Sequence, residues 1–129
     1  MDTAIDRMRA VRDRRFKYIR NYFPAIPYMQ ANPYKEKEYP TWNLVKSLQR
    51  QGRLSPEAAL FAADAKPMEE LYDVIADPFE IRNLAGERTF APALELLRAK
   101  MDGWGARFDH GAADEDPLDI YRGFWNRQP

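Results

Sequence analysis

The sequence contains no cysteine, so no disulfide staples the chain and no thiolate is on hand as nucleophile or metal ligand. Histidine is nearly absent: His110 stands alone beside Gly111 in a polar stretch, with no paired base, and is assigned no catalysis. No run of about 18 apolar residues occurs, which excludes a membrane-spanning helix by composition. Met1-Asp2-Thr3-Ala4 lacks the basic start and apolar core of a secretory signal, and the localisation is left open. Net charge is missing as well. Twenty basic residues balance twenty acidic ones, so no bulk electrostatic pull toward nucleic acid or a membrane surface exists, and neither is expected as a partner.

What is present suits a globular domain. The 129 residues are 45% apolar and 31% charged, enough for one domain with a core. Met8 to Tyr22 (MRAVRDRRFKYIRNY) reads as two strands about a tight turn at Asp13-Arg14. Pairing about that turn sets Val11 opposite Phe16 and Arg9 opposite Tyr18 on one face, with Met8, Ala10, Lys17 and Ile19 on the other. Arginine suits a two-residue hairpin turn poorly, because the usual turn wants positive φ at both positions. Arg14 therefore implies strain or a different turn.

From Phe23 to Pro40 the chain holds Pro24, Pro27, Pro33 and Pro40 among Tyr28, Tyr34 and Tyr39. So many prolines forbid a long helix or a central strand, and a loop of this length usually serves a function. Thr41 is a candidate N-cap for a helix through Trp42, Leu44, Val45 and Leu48, stopped by Gly52. Ser55-Pro56-Glu57 opens a second short helix through Phe61, with proline at its first position. Leu94, Leu97, Met101, Trp104 and Phe108 then fall at 3-4-3-4 spacing, the apolar stripe of a long helix facing a sheet. After Asp109 the chain turns polar and then aromatic, with Tyr121, Phe124 and Trp125 needing a surface to dock on.

The most informative stretch is Glu69 to Ala85, EELYDVIADPFEIRNLA. Leu71, Tyr72, Asp73 and Val74 suit a strand, and Asp77-Pro78 opens a turn with aspartate first and proline second. Asp73, Asp77, Glu80 and Asn83 offer oxygen ligands, but a calcium loop is contradicted by Ile75 at a ligand position and by Pro78-Phe79. Turn and cap chemistry is the expected use of these four side chains.

As a pattern, LYD followed by DP, E and NLA resembles the signature near the C-terminal end of sulfatases. RAVRDRRFKYIRNY, YPTWNLVKSLQRQGRLSPEAALF, KPMEELYDVIADPFEIRNLA and the helix ending at Trp104 follow the family's order and spacing through about residue 108. The likeness is nearest to heparan N-sulfatase-like and bacterial sulfatases. Asp2, Asp6, Arg7 and Arg9 resemble the family's run into the hairpin, so Met1 falls inside the pattern. The resemblance implies a small antiparallel sheet of about three strands, crossed by a long C-terminal helix, with two short helices inserted: an α+β fold. It divides the chain into a subdomain over 1–108 and a tail over 109–129. It also implies a parent sulfuric ester or sulfamate hydrolase that uses formylglycine and a divalent cation, usually calcium, and is often periplasmic, secreted or lysosomal.

The C/S-x-P-x-R motif from which formylglycine is made is missing: Ser47 and Ser55 are followed by LQRQ and PEAA. No catalytic, cofactor-binding or metal residue is carried over. The expected role is a non-catalytic piece of a sulfatase that shapes the cleft for a sulfated glycan and is inactive alone. The alternative is a stand-alone module binding anionic glycan or nucleic acid through the basic hairpin. Between Arg7 and Arg20 that hairpin sets Arg7, Arg9, Arg12, Arg14, Arg15, Lys17 and Arg20 against the single acid Asp13. An open sheet edge, an apolar face, or the aromatic stretch from Ile120 to Trp125 is expected to support a homo-oligomer.

Overall fold

A computed structural model describes residues 6–109; His110 and the aromatic stretch from Ile120 to Trp125 lie outside the described residues. The chain forms two compact units interleaved in sequence. One comprises Arg7–Tyr22 and residues 68–109; the other comprises Phe23–Pro67 together with Asp6.

The first unit holds the sheet. Strands β1 (Met8–Arg12), β2 (Phe16–Asn21) and β3 (Glu69–Asp73) pair antiparallel in the order β1-β2-β3. The expected α+β class, the three strands and the long closing helix are all present. The hairpin register differs from the sequence reading. Val11 faces Tyr18 and Arg12 faces Lys17, so the turn centres on Arg14-Arg15, one residue later than expected. Asp13 decides this. Its Oδ1 accepts from the backbone N–H groups of Arg15 at 2.8 Å and Phe16 at 2.7 Å, which requires aspartate to stand before the turn. A turn built this way needs no positive φ, and neither arginine has one. Because the slip is two residues, every side chain stays on its expected face.

Helix α4 (Ala91–Phe108) lies on one face of the sheet, entered through a short 3-10 turn at Arg88–Phe90. Tyr18 and Leu71 from the sheet, Leu84 from the connector, and Leu94, Leu97 and Met101 from the helix form one core cluster. Phe90 meets Phe16 edge-on, ring centroids 6.0 Å apart. The expected stripe is buried only over its first three members; Trp104 is 45% exposed and Phe108 62%. Length explains the shortfall. Eighteen helical residues run about 27 Å, whereas five or six strand residues span roughly 17–20 Å. The helix outruns the sheet, and Trp104 and Phe108 contact each other instead, 6.1 Å between centroids.

The second unit contains three helices where two were expected: α1 (Pro33–Glu38), α2 (Pro40–Arg50) and α3 (Pro56–Phe61). The extra helix lies inside the proline-rich stretch. It forms because Pro33 occupies the first helical position, where no N–H is needed, and Asn32 caps the backbone N–H of Lys35. α2 likewise begins with Pro40, and Tyr39 rather than Thr41 stands at its N-cap position, with no side-chain cap bond. It ends at Gly52, whose φ of 63° supplies the left-handed residue of a Schellman closure. Gly52 N donates to Gln49 O and Arg53 N to Leu48 O. Ser55 caps α3 through the N–H of Ala58, as the sequence implied. Ile26, Met29 and Ala62 are buried, Tyr28 stacks on Phe61 with centroids 6.1 Å apart, and the buried Lys66 ammonium pairs with Asp6 at 2.5 Å.

Candidate functional site

The stretch singled out by sequence, Glu69 to Ala85, is the structural hinge of the sheet unit. Beyond β3 the chain doubles back along the strand's outer edge. Leu84 N donates to Leu71 O at 2.8 Å, and the Asn83 side chain bridges the two segments. Its Oδ1 accepts from Leu71 N and Ala85 N, both at 3.0 Å, and its Nδ2 donates to Glu69 O at 3.0 Å. The NLA signature thus seals one sheet edge with a side-chain amide. The other edge, β1, is five residues long and carries Arg9 and Arg12, charges that discourage strand pairing.

Asp77-Pro78 makes the expected turn, Glu80 N donating to Asp77 O at 3.1 Å. Asp77 Oδ2 accepts from Ile81 N and Arg82 N, both at 2.8 Å. Glu80 holds a φ of 54°, a left-handed conformation that costs a non-glycine residue about 1–2 kcal/mol. Its carboxylate sits 2.6 Å from the Lys17 ammonium. Asp73 Oδ1 accepts from Ile75 N and Ala76 N, and its Oδ2 accepts from the Arg15 guanidinium at 2.8 Å. All four proposed oxygen donors are therefore engaged in turn, cap or ion-pair bonds. Among the described residues, no group of three or more His, Asp or Glu side chains is arranged to hold a metal ion. With the C/S-x-P-x-R motif missing from the sequence too, the described residues do not fit a formylglycine–calcium centre.

The basic hairpin is largely neutralised from within. Asp109, at the end of α4, takes hydrogen bonds from Arg7 Nη2 at 2.8 Å and from Arg9 Nη2 at 3.0 Å. Arg15 pairs with Asp73, Lys17 with Glu80, and Arg20 with Asp102. Five of the seven cations thus meet carboxylates supplied by β3, the connector or α4, which removes most of the basic surface imagined from sequence. On the core side, the Tyr18 hydroxyl donates to Glu69 Oε1 at 2.5 Å, and Arg98 grips the same carboxylate. Burial pushes the Tyr18 phenol upward, helped by its bond to Glu69.

These pairs set a pH limit. Arg98 holds Glu69 below the usual carboxylate range; Arg15 and the Ala76 N–H do so for Asp73, and Arg9 and Arg7 for Asp109. A carboxyl lowered on folding stabilises the fold above its unfolded value, about 4, and that contribution is lost as pH falls through the folded value. Melting temperature should therefore stay flat from about pH 7 to about pH 5 and drop below about pH 4. A profile still flat at about pH 3 would contradict these assignments.

The second unit contains a cavity of about 270 Å³ walled by Met29, Tyr39, Trp42, Val45 and Phe61. The ammonium groups of Lys35 and Lys46 sit 5.0 and 5.7 Å from the Trp42 ring centroid. Trp42 Nε1 is buried without an acceptor among the described residues. Sequence reading marked Phe23 to Pro40 as a loop of functional length and placed Trp42, Val45 and Phe61 on two short helices, without bringing them to one cavity; the aromatic residues were the available signal.

Two curated relatives match most of the chain. An ulvan-active sulfatase of Formosa agariphila is 43% identical over 103 residues, 80% of this chain and 17% of the relative. A second ulvan-active sulfatase from the same organism is 32% identical over 104 residues, 81% of this chain and 18% of its own length. The chain belongs to the sulfatase family. It spans less than a fifth of the curated sulfatases it matches. No family model matches it. Within the sulfatase frame the role of Asn83 becomes intelligible. The residues that look most like a family signature hold β3, its edge and the start of α4 together.

Proposed function

We propose that this chain acts as the non-catalytic C-terminal subdomain of a sulfatase, completing the fold of the enzyme and bordering the cleft that admits a sulfated glycan. One observation carries the reading. The match covers about four fifths of this chain but under a fifth of either relative, while the chain itself holds no C/S-x-P-x-R nucleophile motif. The internal pairing of the hairpin cations supports a structural role over an independent anion-binding module. The exposed ring of Tyr39 beside the Trp42 cavity supports a cleft-bordering role for the proline-rich segment. Aromatic faces and ammonium groups suit the apolar faces and the anionic groups of a sulfated sugar. The names of the relatives make ulvan the first polymer to test.

On its own the chain should release no sulfate. Incubation with a generic aryl sulfate and calcium is expected to give product at the buffer rate. Turnover that rises in proportion to protein concentration and survives repeated purification would overturn the proposal.

A further inference from the structure

We propose that the loop spanning residues 74–82 is the contact by which this subdomain docks onto the larger remainder of a sulfatase, presenting Phe79 and Ile75 to an apolar socket there. The inference rests on the functional reading above and names a surface for it. An exposed turn ordinarily shows polar side chains to water and tucks apolar ones away. Here the arrangement is reversed. Phe79 is 82% exposed and Ile75 70%, with Ile81 also exposed. Two polar side chains of the loop are meanwhile engaged within the chain, Asp77 by two backbone N–H groups and Glu80 by Lys17.

The display is also rigid. Asp77 N donates to Asp73 O at 2.7 Å, Val74 N donates to Arg15 O at 2.9 Å, and proline fixes the second turn position. Left-handed Glu80 sets the direction in which the chain leaves the turn. A preordered apolar projection loses little freedom on binding, which is what an interface anchor requires. The register of β2 against β3 brings this loop to the same end of the sheet as the Arg14-Arg15 turn. The ion pairs Arg15–Asp73 and Arg82–Glu87 therefore flank the apolar residues, and an apolar socket with a polar rim is the complementary surface. The occupant follows from length. The matched sulfatases are more than five times longer than the matched segment, so most of the polypeptide able to cover Phe79 lies outside this chain.

The test grafts this chain, unaltered, in place of the matching segment of the 43% identical Formosa agariphila sulfatase, beside a graft carrying Phe79→Ser and Ile75→Ser. Sulfate release from ulvan should persist in the unaltered graft and fall at least tenfold in the altered one. The isolated chain should melt within about 2 °C with or without the two substitutions, because both side chains face solvent. Since the chain has no cysteine, Ile75→Cys gives a site-specific probe. A bulky maleimide should label it at least tenfold more slowly in the graft than in the isolated chain.

Equal activity of both grafts together with equal labelling rates would overturn the docking surface while leaving the subdomain reading intact. An unaltered graft that folds and labels slowly but has no activity would count against the functional reading and still support the contact. A concentration-dependent dimer of the isolated chain that the two substitutions abolish would assign the surface to a second copy and refute the proposal.

Discussion

Truncating Leu97 to alanine should lower the unfolding free energy by about 2–5 kcal/mol, the cost of removing a large side chain from a closed core. Leu97 is 0% exposed and lies at the centre of the only cluster that joins α4 to the sheet among the described residues. It packs with Tyr18 and Leu71, whose backbones are fixed by pairing on both sides of β2 and by the Asn83 bridge behind β3. Strands held this way cannot move in to fill a void, so the loss belongs toward the upper end of the range. A domain of this size is stable by roughly 5–15 kcal/mol, so the variant stands close to unfolding. Urea denaturation followed by tryptophan fluorescence reads the change. A midpoint shift equivalent to less than about 1 kcal/mol would show that α4 does not anchor the sheet.

The second large effect comes from a polar residue. Asn83→Ala removes one side chain and strands three backbone groups: the N–H of Leu71, the N–H of Ala85 and the carbonyl of Glu69. A buried group left without a partner costs about 1–3 kcal/mol, and Leu71 is fully buried. A loss of about 2–4 kcal/mol follows, comparable to deleting a core leucine. Asn83→Asp separates the contributions. The carboxylate still accepts from Leu71 and Ala85, but it now faces the Glu69 carbonyl with an acceptor where a donor stood. Its cost should fall between wild type and alanine. Amide exchange at Leu71 should accelerate in the alanine variant more than at Tyr18, on the neighbouring strand. Uniform acceleration at both sites would mean that Asn83 acts on global stability and does not seal the edge.

Much of this architecture was legible residue by residue. Three apolar positions of the α4 stripe, the proline and serine that start α3, the glycine that ends α2 and the Asp77-Pro78 turn all follow from local rules, and local rules suffice because each concerns partners within one or two turns of chain. The faces of the hairpin were equally readable, since strand alternation has a period of two. Register was not, because a slip of two residues keeps that alternation and only the Asp13 carboxylate chooses between the alternatives. The hidden α1 helix shows the opposite failure. Prolines read as breakers were initiators, because Pro33 and Pro40 both occupy first positions where a missing N–H is harmless.

The site-level reading divides the same way. That Asp73, Asp77 and Asn83 serve turns and caps was inferable from residue type and spacing. The partners of the basic hairpin were not. Arg7 and Asp109 are 102 positions apart, and no pattern in either neighbourhood names the other. Nor could sequence say that Trp104 and Phe108 stay exposed, because that depends on where the sheet ends beneath the helix.

By itself, then, the sequence determined the class of fold, the faces of its elements and the sulfatase signature, all of which are written in short-range spacing. Tertiary structure alone decided what that signature does. Asn83 closes the edge of β3, Asp109 gathers the hairpin arginines, and the turn after β3 drives Phe79 into solvent. Each of these is a relation between segments or a measure of what covers them. Such relations arise only when the chain has closed on itself and hydrogen-bond donors, charges and apolar surface must find partners across the fold.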